Sequence, residues 1–139
     1  MRLNVEQCRL RAASVPFAVL ATTNGDGATD LVPITFAWAE RGDVLVTAVD
    51  HKPKSTKNLA RLANIEARPE VTILFDHRDP QDWDRLWWVR ARGPATVHPP
   101  GHQVALLVAR YAQYRDRVPD GPVIEVMVQH WHGWAASQP

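Results

Sequence analysis

The chain has 139 residues, 45% of them apolar and 22% charged, with a formal net charge of +1. That length and balance suit one globular domain, 1–139, with a single real core. A charge so near zero excludes a general pull toward nucleic acid or acidic membranes, and no apolar run is long enough to span a bilayer.

Residues 4–14 read as a helix: Asn4 suits the N-cap, and Val5, Cys8, Ala12 and Val15 recur near helical spacing before Pro16 stops it. Phe17 to Thr23 reads as a buried strand, and Asn24-Gly25-Asp26-Gly27 is a strong hairpin signal. The partner strand is expected from Thr29 to Trp38, with Pro33 inside it marking an edge or a local distortion. Arg41-Gly42-Asp43 makes a turn, and Val44 to Val49 is a third strand. After the loop His51-Lys52-Pro53-Lys54, Ser55 or Thr56 caps a helix to about Glu66, striped by Leu59, Leu62 and Ile65. Val71 to Phe75 is a fourth strand. A polar loop leads to the long strand Leu86–Val97, where Gly93-Pro94 suggests a bulge or bend. A helix from Gly101 to Tyr114 and a last strand from Val123 to Val128 precede the aromatic tail His130-Trp131-His132-Gly133-Trp134. Six short strands with two or three helices argue for a mainly β chain, an antiparallel barrel with helices packed outside it.

Three segments stand out chemically. In His51 to Asn58, three lysines, two hydroxyls and a helix start fall together, a pattern suited to phosphate. The same residues would also serve as a solvated basic loop with an ordinary cap. In Leu31 to Phe36, Pro33 leaves backbone groups free for a planar ligand's polar edge, or simply marks an edge strand. In Asp82 to Arg92, alternation puts Trp88, Arg90 and Arg92 on one face and Trp87, Val89 and Ala91 on the other. With six tryptophans in the chain, that strand reads as a dimer contact, a cofactor wall, or core aromatics beside exposed arginines.

Cys8 is the only cysteine, which excludes an intrachain disulfide, and its place on the first helix reads as buried. The pairs His98/His102 and His130/His132 have no acidic residue near them in sequence, so no metal site is expected. No nucleophile elbow, Walker loop, GxGxxG or CxxC is present. The start Met1-Arg2-Leu3-Asn4-Val5-Glu6 has no apolar leader, and a cytoplasmic location is expected.

Taken together, Phe17-Ala18-Val19-Leu20-Ala21-Thr22 leading to Leu31-Val32-Pro33-Ile34, the stretch Val49 to Lys54 with Lys57-Asn58-Leu59, Leu86-Trp87-Trp88-Val89-Arg90 with Gly93-Pro94-Ala95, and Trp131-His132-Gly133-Trp134 resemble the pyridoxamine 5′-phosphate oxidase-like split-barrel superfamily. Within it, the chain is most similar to the actinobacterial branch of F420-dependent enzymes. The resemblance implies a six-stranded antiparallel split β-barrel of Greek-key type, homodimeric, with two cofactors in grooves between the subunits. It places the cofactor phosphate on Lys52, Lys54, Ser55, Thr56, Lys57 and Asn58. The ring system would lie against the backbone of Val32, Pro33, Ile34, Thr35, Ala48, Val49 and Asp50. Trp83, Trp87 or Trp88 of the second subunit, with Arg85, would close the groove.

The implied activity is hydride transfer between coenzyme F420, with FMN as the alternative, and a small organic substrate. The coenzyme carries the chemistry, and no catalytic residue is singled out, although Asp50, His51 and Tyr111 are conceivable proton donors. Pyridoxamine phosphate oxidases carry an Arg-rich C-terminal motif. Here no arginine follows Arg117, which puts that particular oxidation in doubt. A non-catalytic carrier of the coenzyme and a haem- or metal-binding relative are the rival classes. The substrate is not legible.

Overall fold

The computed structural model describes residues 1–39, 42–49 and 56–137. Helix α1 (Val5–Ser14) starts where Asn4 predicts. The Asn4 side chain accepts from the Gln7 amide at 2.8 Å, and the Gln7 side chain accepts from the Asn4 amide at 2.9 Å. This reciprocal pair satisfies two helix-start donors that would otherwise need water.

Eight strands, not the expected six, occur among the described residues: β1 (Ala18–Thr23), β2 (Thr29–Ile34), β3 (Ala37–Trp38), β4 (Val44–Ala48), β5 (Glu70–His77), β6 (Trp87–His98), β7 (Val123–Met127) and β8 (His130–Ala135). Every pairing is antiparallel, in the order β2-β1-β5-β6-β7-β4-β3, with β8 also on β6. Two differences raise the count. The tail becomes β8, because its alternating side chains let it pair with Trp87–Arg92. The strand expected over 29–38 breaks at Thr35-Phe36. There the Phe36 amide donates to the Tyr111 hydroxyl at 3.0 Å, and the Phe36 carbonyl accepts from Arg110 Nη1 at 2.8 Å. Backbone groups taken by side chains cannot continue a ladder.

β2 lies at one end of the strand order, and an edge is where a strand proline is tolerated. β6 is shared by both halves of the sheet. Residues up to Pro94 pair with β5, and from Ala95 onward it pairs with β7. The change happens at Gly93-Pro94, the expected bend. Curling around this strand, the sheet encloses a core in which Leu20, Phe36, Leu45, Ile73, Phe75, Val89 and Ile124 are fully covered. Cys8 is buried against it.

Helix α2 (Thr56–Ala67) plugs this core with Ile65, with Leu62 packed beside it. The expected helix over 101–114 is two: α3 (Gln103–Arg110) and α4 (Ala112–Asp116). Tyr111 between them is extended, so that its hydroxyl reaches back to Phe36 and to the Pro16 carbonyl, 2.7 Å away. α3 lays Val104 and Leu107 on Val46, Ala48 and Val123, which explains why β4 is buried on both faces. A 3₁₀ turn, Trp83–Arg85, precedes β6. Among the described residues no helix is long and apolar enough to cross a membrane.

Candidate functional site

A cleft of about 590 Å³ opens between the edge strand β2, the end of β1 and the exposed side of α2. Leu31, Val32 and Pro33 form one wall, and Ala60, Arg61 and Asn64 the other, with Thr22 and Asp30 between them. The small Ala60 leaves the space open. Asn64 is buried and donates through Nδ2 to Thr22 Oγ1 at 3.1 Å and to Asp30 Oδ2 at 3.0 Å. Asn24 reaches the other Asp30 oxygen at 3.3 Å. Two amides therefore hold the Asp30 carboxylate in place, in a cleft that Arg61 also lines.

Of the sequence-derived site residues, the structure brings Val32 and Pro33 to this cleft. Ile34, Ala48 and Val49 do not line it: each is at most 6% exposed, and the Val49 amide donates to the Pro122 carbonyl at 2.9 Å. Thr35 sits at the strand break, its hydroxyl 2.6 Å from that of Tyr114 and its carbonyl accepting from Thr47 Oγ1 at 2.7 Å. Thr56, Lys57 and Asn58 form the first turn of α2, whose later turns line the cleft; their side chains lie outside the described residues, as do Asp50, Lys52, Lys54 and Ser55 entirely. Tyr111, a conceivable proton donor, has its hydroxyl engaged with backbone.

The three tryptophans separate. Trp83 is 79% exposed on the 3₁₀ turn. Trp87 turns inward against the core and stacks on His77, with centroids 6.5 Å apart. Trp88 belongs to the outer face. There the register sets Trp88 beside Trp134, Arg90 beside His132, and Arg92 beside His130. The Arg90 guanidinium lies 4.9 Å from the centre of the Trp88 ring. Leu31, at the far edge of the same sheet, is 68% exposed. No described group of three or more His, Cys, Asp or Glu is placed to hold a metal ion.

Arg61, Asn64 and Asp30 were not anticipated. Arg61 and Asn64 stand three apart and so share a helix face. That pairing is visible in the sequence, but nothing there shows which strand it meets.

Among solved structures, a conserved hypothetical protein of Mycobacterium tuberculosis superposes with a TM-score of 0.75 at 15% identity, over 96% of this chain and 86% of the other. An FAD-binding protein of Mycobacterium smegmatis gives 0.63 at 21% identity, over 96% of each chain. An FAD-binding protein of Mesorhizobium loti gives 0.69 at 15% identity, over 96% of this chain and 95% of the other. At such identities the likeness is one of fold. No curated protein matches the chain. The sequence profile described as pyridoxamine 5′-phosphate oxidase matches residues 5–135, and by that match across nearly its whole length the protein belongs to the pyridoxamine 5′-phosphate oxidase family.

Proposed function

We propose that this protein is an F420-dependent oxidoreductase acting on a small organic substrate, with its coenzyme bound in a groove completed by a second copy of the chain. The observation that carries the reading is the cleft between β2 and α2. An edge strand that carries a proline supplies one wall, and the helix that opens at the lysine-rich segment supplies the other.

The residues present fit a tricyclic coenzyme with an acidic tail. The first turn of α2 has backbone N–H groups without helical partners. With Lys52, Lys54 and Ser55 just before it in sequence and Thr56, Lys57 and Asn58 within it, that turn would hold the phosphate. Val32 and Pro33 offer a flat apolar wall to the ring. Asp30, an acceptor beside them, suits hydroxyl or ring N–H donors and disfavours a phosphate there, so the coenzyme would run with its phosphate toward the α2 start. Arg61 would balance the carboxylate. When bound, the coenzyme supplies the hydride; the chain binds it, orients it and keeps water from its reactive face.

The outer face supports the homodimer. Trp134 is 37% exposed beside half-buried Trp88, an amount of aromatic surface a lone subunit gains little by leaving in water. On this reading Trp83 and Trp88 of the partner subunit close the groove, whereas Trp87 is occupied within its own barrel. FMN or FAD is the second reading, favoured by the two structurally similar FAD-binding proteins.

Titration of the chain with F420, FMN and FAD, followed by tryptophan fluorescence, tests this. Lys57→Ala should weaken the preferred coenzyme by roughly 1.5–3 kcal/mol, the worth of a charged hydrogen bond. Saturable binding of none of the three would overturn the proposal.

A further inference from the structure

Among the described residues that line the α2 cleft, Asp30 is the only carboxylate. It stands opposite Thr22 in the β1–β2 register, and buried Asn64 bonds to both members of that pair. One Asp30 oxygen accepts from Asn64 at 3.0 Å and the other from Asn24 at 3.3 Å. Asn24 is itself held, because its side-chain oxygen accepts from the Asp26 and Ala28 amides at 3.0 and 3.1 Å. A carboxylate offers about four lone-pair sites. The two amides take two of them, and Asp30 is exposed, so acceptor capacity is left for a ligand.

Arg61 lines the same cleft, so the two charges offset each other and no ion is selected there. What remains to be selected is a hydrogen-bonding pattern. A fixed acceptor beside Val32 and exposed Pro33 suits an N–H or O–H on the rim of a planar group. Position along α2 decides between those two donors. Asn64 follows Thr56 by eight residues, about 12 Å along the helix axis. A phosphate at the first turn keeps the coenzyme's sugar-alcohol hydroxyls close to itself. The imide N–H of the pyrimidine ring, which the deazaflavin and the flavins share, is at the far side of the molecule.

We infer that Asp30 reads the pyrimidine edge of the coenzyme ring, its carboxylate accepting from the imide N–H. That edge then lies against the β1–β2 hairpin while the phosphate lies at the start of α2. The inference rests on the proposed coenzyme groove and makes Asp30 a specificity-determining residue within it. A ring without that N–H leaves the carboxylate covered and without its donor, which is the discrimination a polar site performs best.

The test is titration of the full chain with F420, FMN and FAD, each beside its derivative methylated at the imide nitrogen, read by tryptophan fluorescence. For the coenzyme that binds, methylation should weaken affinity at least about tenfold, since a hydrogen bond to a charged group is lost. Asp30→Ala, at an exposed hairpin position, should weaken the parent coenzyme by a similar factor and abolish the difference between parent and methylated forms. Binding of a parent coenzyme with equal affinity for its methylated form would overturn the inference and leave the groove standing. So would a methylation penalty that persists unchanged in Asp30→Ala. Binding of none of the three parents would overturn both.

Discussion

Gly93 passes so close to Met127 that a Cβ on it would stand 1.9 Å from the Met127 carbonyl oxygen. The obstacle is backbone, at the point where β6 leaves one half of the sheet for the other, and backbone cannot swing aside as a flexible side chain can. Gly93→Ala should therefore destabilise the fold by roughly 2–3 kcal/mol through overpacking, lowering the melting temperature by about 10 °C for a chain of this size. Thermal denaturation checks it; a melting temperature like the wild type's would mean the two strands can part there cheaply.

Asn64 ties α2 to the hairpin through its bonds to Thr22 and Asp30. Asn64→Leu removes the donor and leaves the buried Thr22 hydroxyl without it. The expected cost is about 1–3 kcal/mol, measured by denaturant unfolding. Coenzyme affinity should fall with it, because Asp30 loses one of the two amides that orient it.

Tyr111→Phe removes the hydroxyl that accepts from the amide of fully buried Phe36. A buried N–H left unpaired costs about 1–3 kcal/mol. Hydrogen exchange should show the Phe36 amide protected in the wild type and exchanging faster in the variant.

The Arg9 guanidinium grips Asp43 with two bonds of 2.7 Å. That hydrogen bonding, more than the charge attraction, holds the Asp43 carboxyl below the usual carboxylate range and raises the Arg9 guanidinium. A depressed folded-state pKa stabilises above the unfolded value and is lost as pH falls through the folded one. Asp43→Asn should thus be less stable than the wild type at neutral pH, with the gap closing as the solution is acidified below the carboxylate range. High salt should narrow the gap at neutral pH, since the pair is largely solvent-exposed. Urea midpoints across pH are the measurement.

If the outer face pairs two copies, Trp134→Glu should convert a dimer to a monomer in sedimentation equilibrium, because it puts a carboxylate beside Trp88 in the middle of the contact. A wild-type chain that sediments as a monomer would remove the homodimer from the reading.

Local chemistry announced much of this architecture. Asn4 as a cap, the Asn24–Gly27 hairpin, Pro33 at an edge and the bend at Gly93-Pro94 each follow from what one or two residues permit their own backbone to do. So does the division of Trp87 from Trp88, since strand alternation sends neighbours to opposite faces. The lysine-rich segment and the Pro33 strand were legible as candidates for the same reason. Their composition is unusual for a mere loop or a mere core strand.

What required the folded chain was every choice made between distant segments. The break at Thr35-Phe36 depends on Arg110 and Tyr111, more than seventy positions away, and β8 exists only because β6 had an open side to pair with. Asp30, Arg61 and Asn64 look like ordinary surface residues until α2 is laid across the hairpin. A hydrogen-bonding group in a sequence advertises its capacity but not its partner. Capacity is local, and the partner is set by how the whole core packs.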